Sequence, residues 1–160
     1  MKIKQKSEKG DIRVILHNIR SAYNVGSIFR TSDARGLSHI YISGYTPAPK
    51  DKFGRARKEI SKTALGGEFS VSWSKENIFK VIEKLKKEGF EVVCIEQNSK
   101  SIPLKKLKIS KKVVFIPGNE VKGLSKEILN QADQIVEIEM AGIKESLNVS
   151  VAFGIVVFSV

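Results

Sequence analysis

The segment DIRVILHNIRSAYNVGSIFRTSDARG, residues 11–36, sets the fold. Its first eight residues, DIRVILHN (11–18), have an apolar run at their centre and read as a strand. NVGSIFRTSDARG (24–36) changes period. Val25, Ile28 and Phe29 share one face of a helix, which stops at Gly36. A strand followed by a helix is the repeating unit of an α/β protein.

The alternation continues outward from this segment. SHIYISG (38–44), FEVVCIEQ (90–97), KKVVFIPG (111–118) and QIVEIEM (134–140) read as strands. KENIFKVIEKLKKEG (75–89) is an amphipathic helix, with Ile78, Val81, Ile82 and Leu85 on one face, and SKEILNQA (125–132) is a shorter one. YTPAPKDKFGRARKE (45–59) is a loop holding two prolines and a glycine. NVSVAFGIVVFSV (148–160) fits a strand or a buried helix, and its period does not separate the two. The expected architecture is a mostly parallel sheet flanked by helices. Its ligands would lie beyond the carboxyl ends of the strands, near residues 18–24, 44–58, 117–124 and 139–148.

The chain has 160 residues, which fits one domain. Lys and Arg number 28 against 17 Asp and Glu, a net +11, which favours an anionic partner such as nucleic acid. The single cysteine, Cys94, lies in an apolar strand and reads as packing. One cysteine and two histidines make a dedicated metal site unexpected. MKIKQKSEKGD has no apolar core for a secretory signal, and no run is long enough to span a membrane. The expectation is a cytoplasmic protein.

Three segments and one loop carry candidate chemistry. In the first helix Gly26 and Arg30 are four residues apart and share a face. Arg30 leans back over position 26, where a glycine leaves a lane toward the helix N-terminus, a place that attracts anions. Asn24 stands at the mouth of that helix. The alternative is an Arg30–Asp33 ion pair, with Gly26 serving close packing. PGNEVKGLS (117–125) nearly spells a phosphate loop, but Leu124 replaces the lysine and Glu120 adds a negative charge. It suits a neutral or cationic small molecule, or simply a tight turn. In EMAGIKESLNVSVA (139–152), Ser146 and Asn148 are either capping residues or polar groups facing a site. Lys50, Lys52, Arg55, Arg57 and Lys58 surround Phe53, a pattern that can bind phosphates and stack on an unpaired base.

In order and spacing, NVGSIFRTSDARG, FIPGNEVKGLS and IEMAGIKESLNVSVA resemble the three motifs of the SpoU/TrmH family. These are S-adenosylmethionine-dependent RNA 2′-O-ribose methyltransferases of the SPOUT class. The resemblance spans residues 12 to 155. It implies an α/β fold with a C-terminal deep trefoil knot, a homodimer with the site near its interface, and a helix over 146–159. It places S-adenosylmethionine against Gly118, Ile138, Met140, Ser146 and Leu147. Arg30 would act as general base or as a clamp on the phosphate beside the target ribose, in one cavity with Asn24, Glu120, Ser146 and Asn148. The RNA, a tRNA or rRNA, would also meet Lys50, Lys52, Arg55, Arg57 and Lys58. No metal is implied.

Two departures stand out. Glu139 replaces the family's usual proline, placing a charge next to the cofactor pocket. The chain ends at Val160, so a short final helix and a smaller dimer interface are expected, with a single domain and no added RNA-binding domain before the first strand as the expectation. The competing readings are a non-catalytic RNA-binding module that retains the knotted fold, and a nucleotide hydrolase using 117–125, which Leu124 opposes.

Overall fold

A computed structural model describes residues 10–160. Strands β1 (Asp11–His17), β2 (His39–Ser43), β3 (Ser72–Lys75), β4 (Glu91–Ile95), β5 (Ile102–Pro103), β6 (Lys112–Pro117) and β7 (Gln134–Glu137) form one sheet, ordered β3-β2-β1-β6-β4-β7-β5. All the pairings are parallel, with Val14 opposite Ile40 and Phe115, and Cys94 opposite Ile116 and Ile135. The helices are α1 (Ala22–Arg35), α2 (Lys58–Ala64), α3 (Gly67–Ser70), α4 (Ile78–Lys87), α5 (Lys126–Gln131) and α6 (Val149–Phe158).

The sheet is covered on both faces, so its central strands are apolar throughout rather than alternating. Val14, Leu16, Val93, Val113 and Phe115 face a core shared with Ile28 and Phe29 of α1, Ile60 of α2, and Phe153 and Val156 of α6. Ile15, Tyr41, Val92, Val114 and Ile116 face the opposite core, built with Val81, Ile82 and Leu85 of α4 and Ile128 of α5. Among the described residues no helix is long and apolar enough to cross a membrane.

The ambiguous C-terminal segment is a helix. Asn148 caps it, its side chain accepting from the Ser150 amide at 2.9 Å. Phe153, Val156 and Val157 are buried, whereas Val151, Ile155 and Phe158, at i, i+4 and i+7, remain exposed. Sequence patterning does not register α2, α3, β3 or β5. The first two are short, β3 (SWSK) is a polar edge strand, and β5 has two residues.

Gly26 is buried against α2. A Cβ added there would lie 2.0 Å from Thr63 Oγ1 and 2.4 Å from the Ile60 carbonyl oxygen. The lane expected to carry Arg30 toward the helix start is therefore filled by a neighbouring helix, and the glycine serves close packing. No Arg30–Asp33 ion pair is present among the described residues either. An alanine at 26 would gain about 1 kcal/mol of helix propensity. The collision is with backbone, which cannot swing aside. Gly26→Ala is expected to lower stability by about 1–3 kcal/mol in denaturant titration; an unchanged or raised midpoint would contradict the packing account.

Candidate functional site

Strand β6 ends at Pro117 and hands the chain to residues 118–125 before α5 begins. Such a turn exposes backbone N–H groups, and in a phosphate loop they hold an anion. Here the anion comes from the protein. Glu96, just after β4, accepts the Leu124 amide at 2.9 Å through Oε2 and the Gln97 amide at 3.1 Å through Oε1. A Cβ at Gly118 or Gly123 would meet Glu96 Oε2 at 2.3 or 2.5 Å, and Gly123 has φ +65°. Both glycines are needed because the carboxylate passes between them. Ser125 is the N-cap of α5, accepting from the Ile128 amide at 3.3 Å. The loop's likeness to a phosphate loop thus has an internal cause, and the space for a phosphate is taken. Glu96 also adds to the burial that pushes the neighbouring Cys94 thiol up to about 12, leaving that buried cysteine unreactive.

The loop is braced by Asn119. Its Oδ1 accepts the Val121 and Lys122 amides at 2.8 and 2.9 Å. Its Nδ2 donates to Tyr45 Oη at 2.9 Å and to the Asn18 carbonyl. One side chain ties together the loops that follow β1, β2 and β6.

Asn24 sits inside the first turn of α1 because Ser21 caps the helix, accepting the Asn24 amide at 3.3 Å. Its side chain is thereby released from capping. Asn24 Nδ2 donates to Glu120 Oε1 at 3.2 Å, and Asn24 Oδ1 accepts from Asn148 Nδ2 at 3.0 Å. A continuous hydrogen-bonded chain joins the first helix, the glycine loop and the C-terminal segment. Beside it lies a cleft lined by Gly118, Glu120, Ile138, Met140, Ser146 and Leu147, with Ile95, Glu96, Gln97 and Val149. Gln97 Nε2 donates to the Glu145 carbonyl at 2.6 Å and holds the 139–148 segment over this cleft.

Several expected positions differ. Arg30 is exposed and does not line the cleft; it borders a separate depression with Ser27, Thr31, Lys62 and Phe158. In a single chain, then, Arg30 does not share a cavity with Glu120, Ser146 and Asn148. Glu139 points outward to Lys105, 3.4 Å away, and is absent from the cleft wall. The basic loop is structured. Lys50 bridges Ala56, and Asp51 accepts the Phe53 and Arg55 amides at 2.8 and 3.0 Å. Arg55 is paired to Asp51 at 2.8 Å, and Lys52 and Arg55 lie about the exposed Phe53 ring at 5.0 and 4.9 Å. Lys50, Lys52, Arg55 and Arg57 line a groove with Trp73 and Lys75, while Lys58 starts α2 and lies outside it.

Sequence reasoning passed over Glu96, Gln97, Asn119 and Tyr45. The two glycines of one loop, Gly118 and Gly123, were the available sign, but the acid they face follows another strand. A hydrogen bond to a carboxylate contributes about 1.5–3 kcal/mol. Glu96→Ala is expected to speed amide hydrogen exchange at Leu124 by the corresponding factor, with a smaller effect for Glu96→Gln, which keeps an acceptor. Equal exchange in all three proteins would contradict the bracing role.

The profile of the SpoU rRNA Methylase family matches residues 11–158. A tRNA (guanosine(18)-2'-O)-methyltransferase of Borreliella burgdorferi is 33% identical over 149 residues, covering 91% of this chain and 63% of that protein. A protein of the same name from Aquifex aeolicus is 32% identical, covering 92% and 67%. The AdoMet-bound rRNA methyltransferase structure from Sinorhizobium meliloti superposes with a TM-score of 0.85 at 31% identity, covering 94% of this chain and 56% of that one. The chain thus spans roughly two thirds or less of these proteins' lengths. With a family profile that runs from the first strand to the end of the last helix, and a matching fold, the chain belongs to the SpoU rRNA methylase family.

Proposed function

We propose that this chain is an S-adenosylmethionine-dependent 2′-O-ribose methyltransferase domain acting on tRNA or rRNA. The supporting observation is the Glu120–Asn24–Asn148 chain beside a single cleft, which draws all three family motifs together. The lining suits the cofactor. Ile95, Ile138, Leu147 and Val149 offer apolar walls, the glycine loop offers backbone groups at close range, and Glu96 and Glu120 favour a cationic sulfonium. Bound there, S-adenosylmethionine would supply an activated methyl group: a ribose 2′-oxygen would bond to the methyl carbon as the sulfonium C–S bond breaks, S-adenosylhomocysteine would leave, and the hydroxyl proton would pass to solvent. The proteins that carry such activities by name are the relatives described above. Asn24 and Asn148 hold Glu120 in place beside the acceptor, and Ser146 closes the cleft edge.

Arg30 acts across a homodimer in this reading. Ile143, Leu147, Val151, Ile155 and Phe158 are exposed along the C-terminal segment, joined by Tyr23, Leu65 and Phe69. Such an apolar face is expected to be covered, and a second copy covers it by two-fold symmetry. Arg30 borders Phe158 on that face, so its guanidinium serves the opposing cleft as a phosphate clamp. The family's trefoil knot is consistent with the topology. The 96–101 connection joins β4 to β5, the two strands flanking β7, so it arches over the end of β7. Passage of the segment leaving β7 beneath that arch would form the knot, and the Gln97–Glu145 hydrogen bond, which brings the two segments together, supports this reading. The basic hairpin around Phe53 and its groove would hold RNA, with an affinity that falls as salt rises. The reducing cytoplasm suits the lone buried Cys94. Glu139, the feature that favours a non-catalytic RNA-binding module, is directed away from the cleft.

Arg30→Ala is expected to bind S-adenosylmethionine normally in calorimetry and to lose methyl transfer to total RNA from a strain lacking the gene. Mixing Arg30→Ala with Glu120→Ala restores about a quarter of wild-type activity if the site is shared between two copies. No recovery on mixing, with both variants dimeric, would refute the shared site. Full activity of Arg30→Ala would refute the role of Arg30 altogether.

A further inference from the structure

A second cavity lies across Asn119 and Glu120 from the cleft. Arg20, Ser21, Tyr45, Asn119, Glu120 and Lys122 form its walls. It stands beyond the carboxyl ends of β1 and β6. From β1 the chain crosses to β2 on one side, while β6 lies on the other, so this is a switch point of the sheet, where open α/β folds bind ligands.

The lining has a definite chemistry. Arg20 and Lys122 make no side-chain hydrogen bond or ion pair among the described residues, so two cations without a direct partner border the cavity beside the single carboxylate of Glu120. Tyr45 is 60% exposed, yet its hydroxyl is held by Asn119 Nδ2 at 2.9 Å. An aromatic ring fixed at its polar end with the rest bare is a stacking platform of low entropic cost. The residue that fixes it, Asn119, also braces the glycine loop, so the platform and the cleft share one support. Glu120 faces both spaces.

We propose that this cavity is the subsite for the target ribonucleotide, with its base stacked on Tyr45 and its phosphate between Arg20 and Lys122. The assignment rests on the methyltransferase reading above and adds where the acceptor sits. A nucleotide so placed has its ribose over Asn119 and Glu120, facing the methyl donor's cleft. Cations alone would take any anion; the fixed aromatic ring selects one that carries a planar base.

The test uses the full chain without RNA. AMP, CMP, GMP and UMP are titrated to millimolar concentration while the amide signals of Asn119–Lys122 are followed by NMR. At least one nucleotide is expected to shift them saturably. Tyr45→Phe, which keeps the ring but releases it from Asn119, binds more weakly than wild type yet more tightly than Tyr45→Leu, which loses roughly fivefold or more, the scale of one base–aromatic stack. Arg20→Ala/Lys122→Ala weakens binding further. The subsite is overturned if no nucleotide shifts these signals, if Tyr45→Leu binds like wild type, or if inorganic phosphate binds as well as every nucleotide. Calorimetry with S-adenosylmethionine on the same protein separates the two claims. Cofactor binding without a nucleotide response removes the subsite alone, and absent cofactor binding removes the reading of the cleft.

Discussion

The Glu96 carboxylate lies between Gly118 and Gly123 and accepts the Leu124 amide, and the shape of the whole site follows from that contact. Backbone N–H groups gathered at a strand-to-helix turn need an acceptor. Supplying one from the neighbouring strand β4 fixes the loop before any ligand arrives. It also sets the sign of the site. On the side of the cleft, a loop already holding the Glu96 carboxylate, with Glu120 beside it, favours a cation over a phosphate. The same constraint forbids side chains at 118 and 123, which leaves backbone open toward the cleft.

The sheet order brings the remaining parts to this loop. Because β6 lies between β1 and β4, the loops after β1 and β4 flank the one after β6. Asn18 and Tyr45 are then within reach of Asn119, and Glu96 is within reach of Leu124. On the far side, Ser21 caps α1 and so frees the Asn24 side chain to link Glu120 with Asn148. Partners separated by 96 and 124 residues thus share two hydrogen bonds. Loss of either would cut the C-terminal segment from the glycine loop, although both would still border the same cleft.

Gly26 and Arg30 show how two residues noticed as one pattern can have separate causes, close packing for the glycine and an exposed face for the arginine. The pair stands out in the helix because each residue is unusual on an apolar stripe. The glycine answers to the backbone of α2, an element with a weak signature. Arg30 lies on the side of α1 that turns toward the exposed stripe of α6. Helical spacing places two residues on one face; it does not say what that face meets. The basic loop teaches a similar lesson. Its five cations were legible, but Asp51 neutralises Arg55 and folds the loop into a hairpin, and Lys58 belongs to a helix.

By itself the sequence determined the α/β alternation, the apolar strands buried on both faces, and the three motifs, because these depend on local period and on residue identity at short spacing. Its hydrophobic period could not decide whether 148–160 was strand or helix, since an apolar run satisfies both; only the family resemblance pointed to the helix that is found. Nor could the sequence find Glu96, Asn119 or Tyr45, or show that Glu139 turns outward. Those depend on which strands are adjacent and which loops meet at their ends. Only the tertiary structure decided them, because hydrogen bonds and steric exclusion act over a few ångströms in space, between residues that the chain keeps far apart.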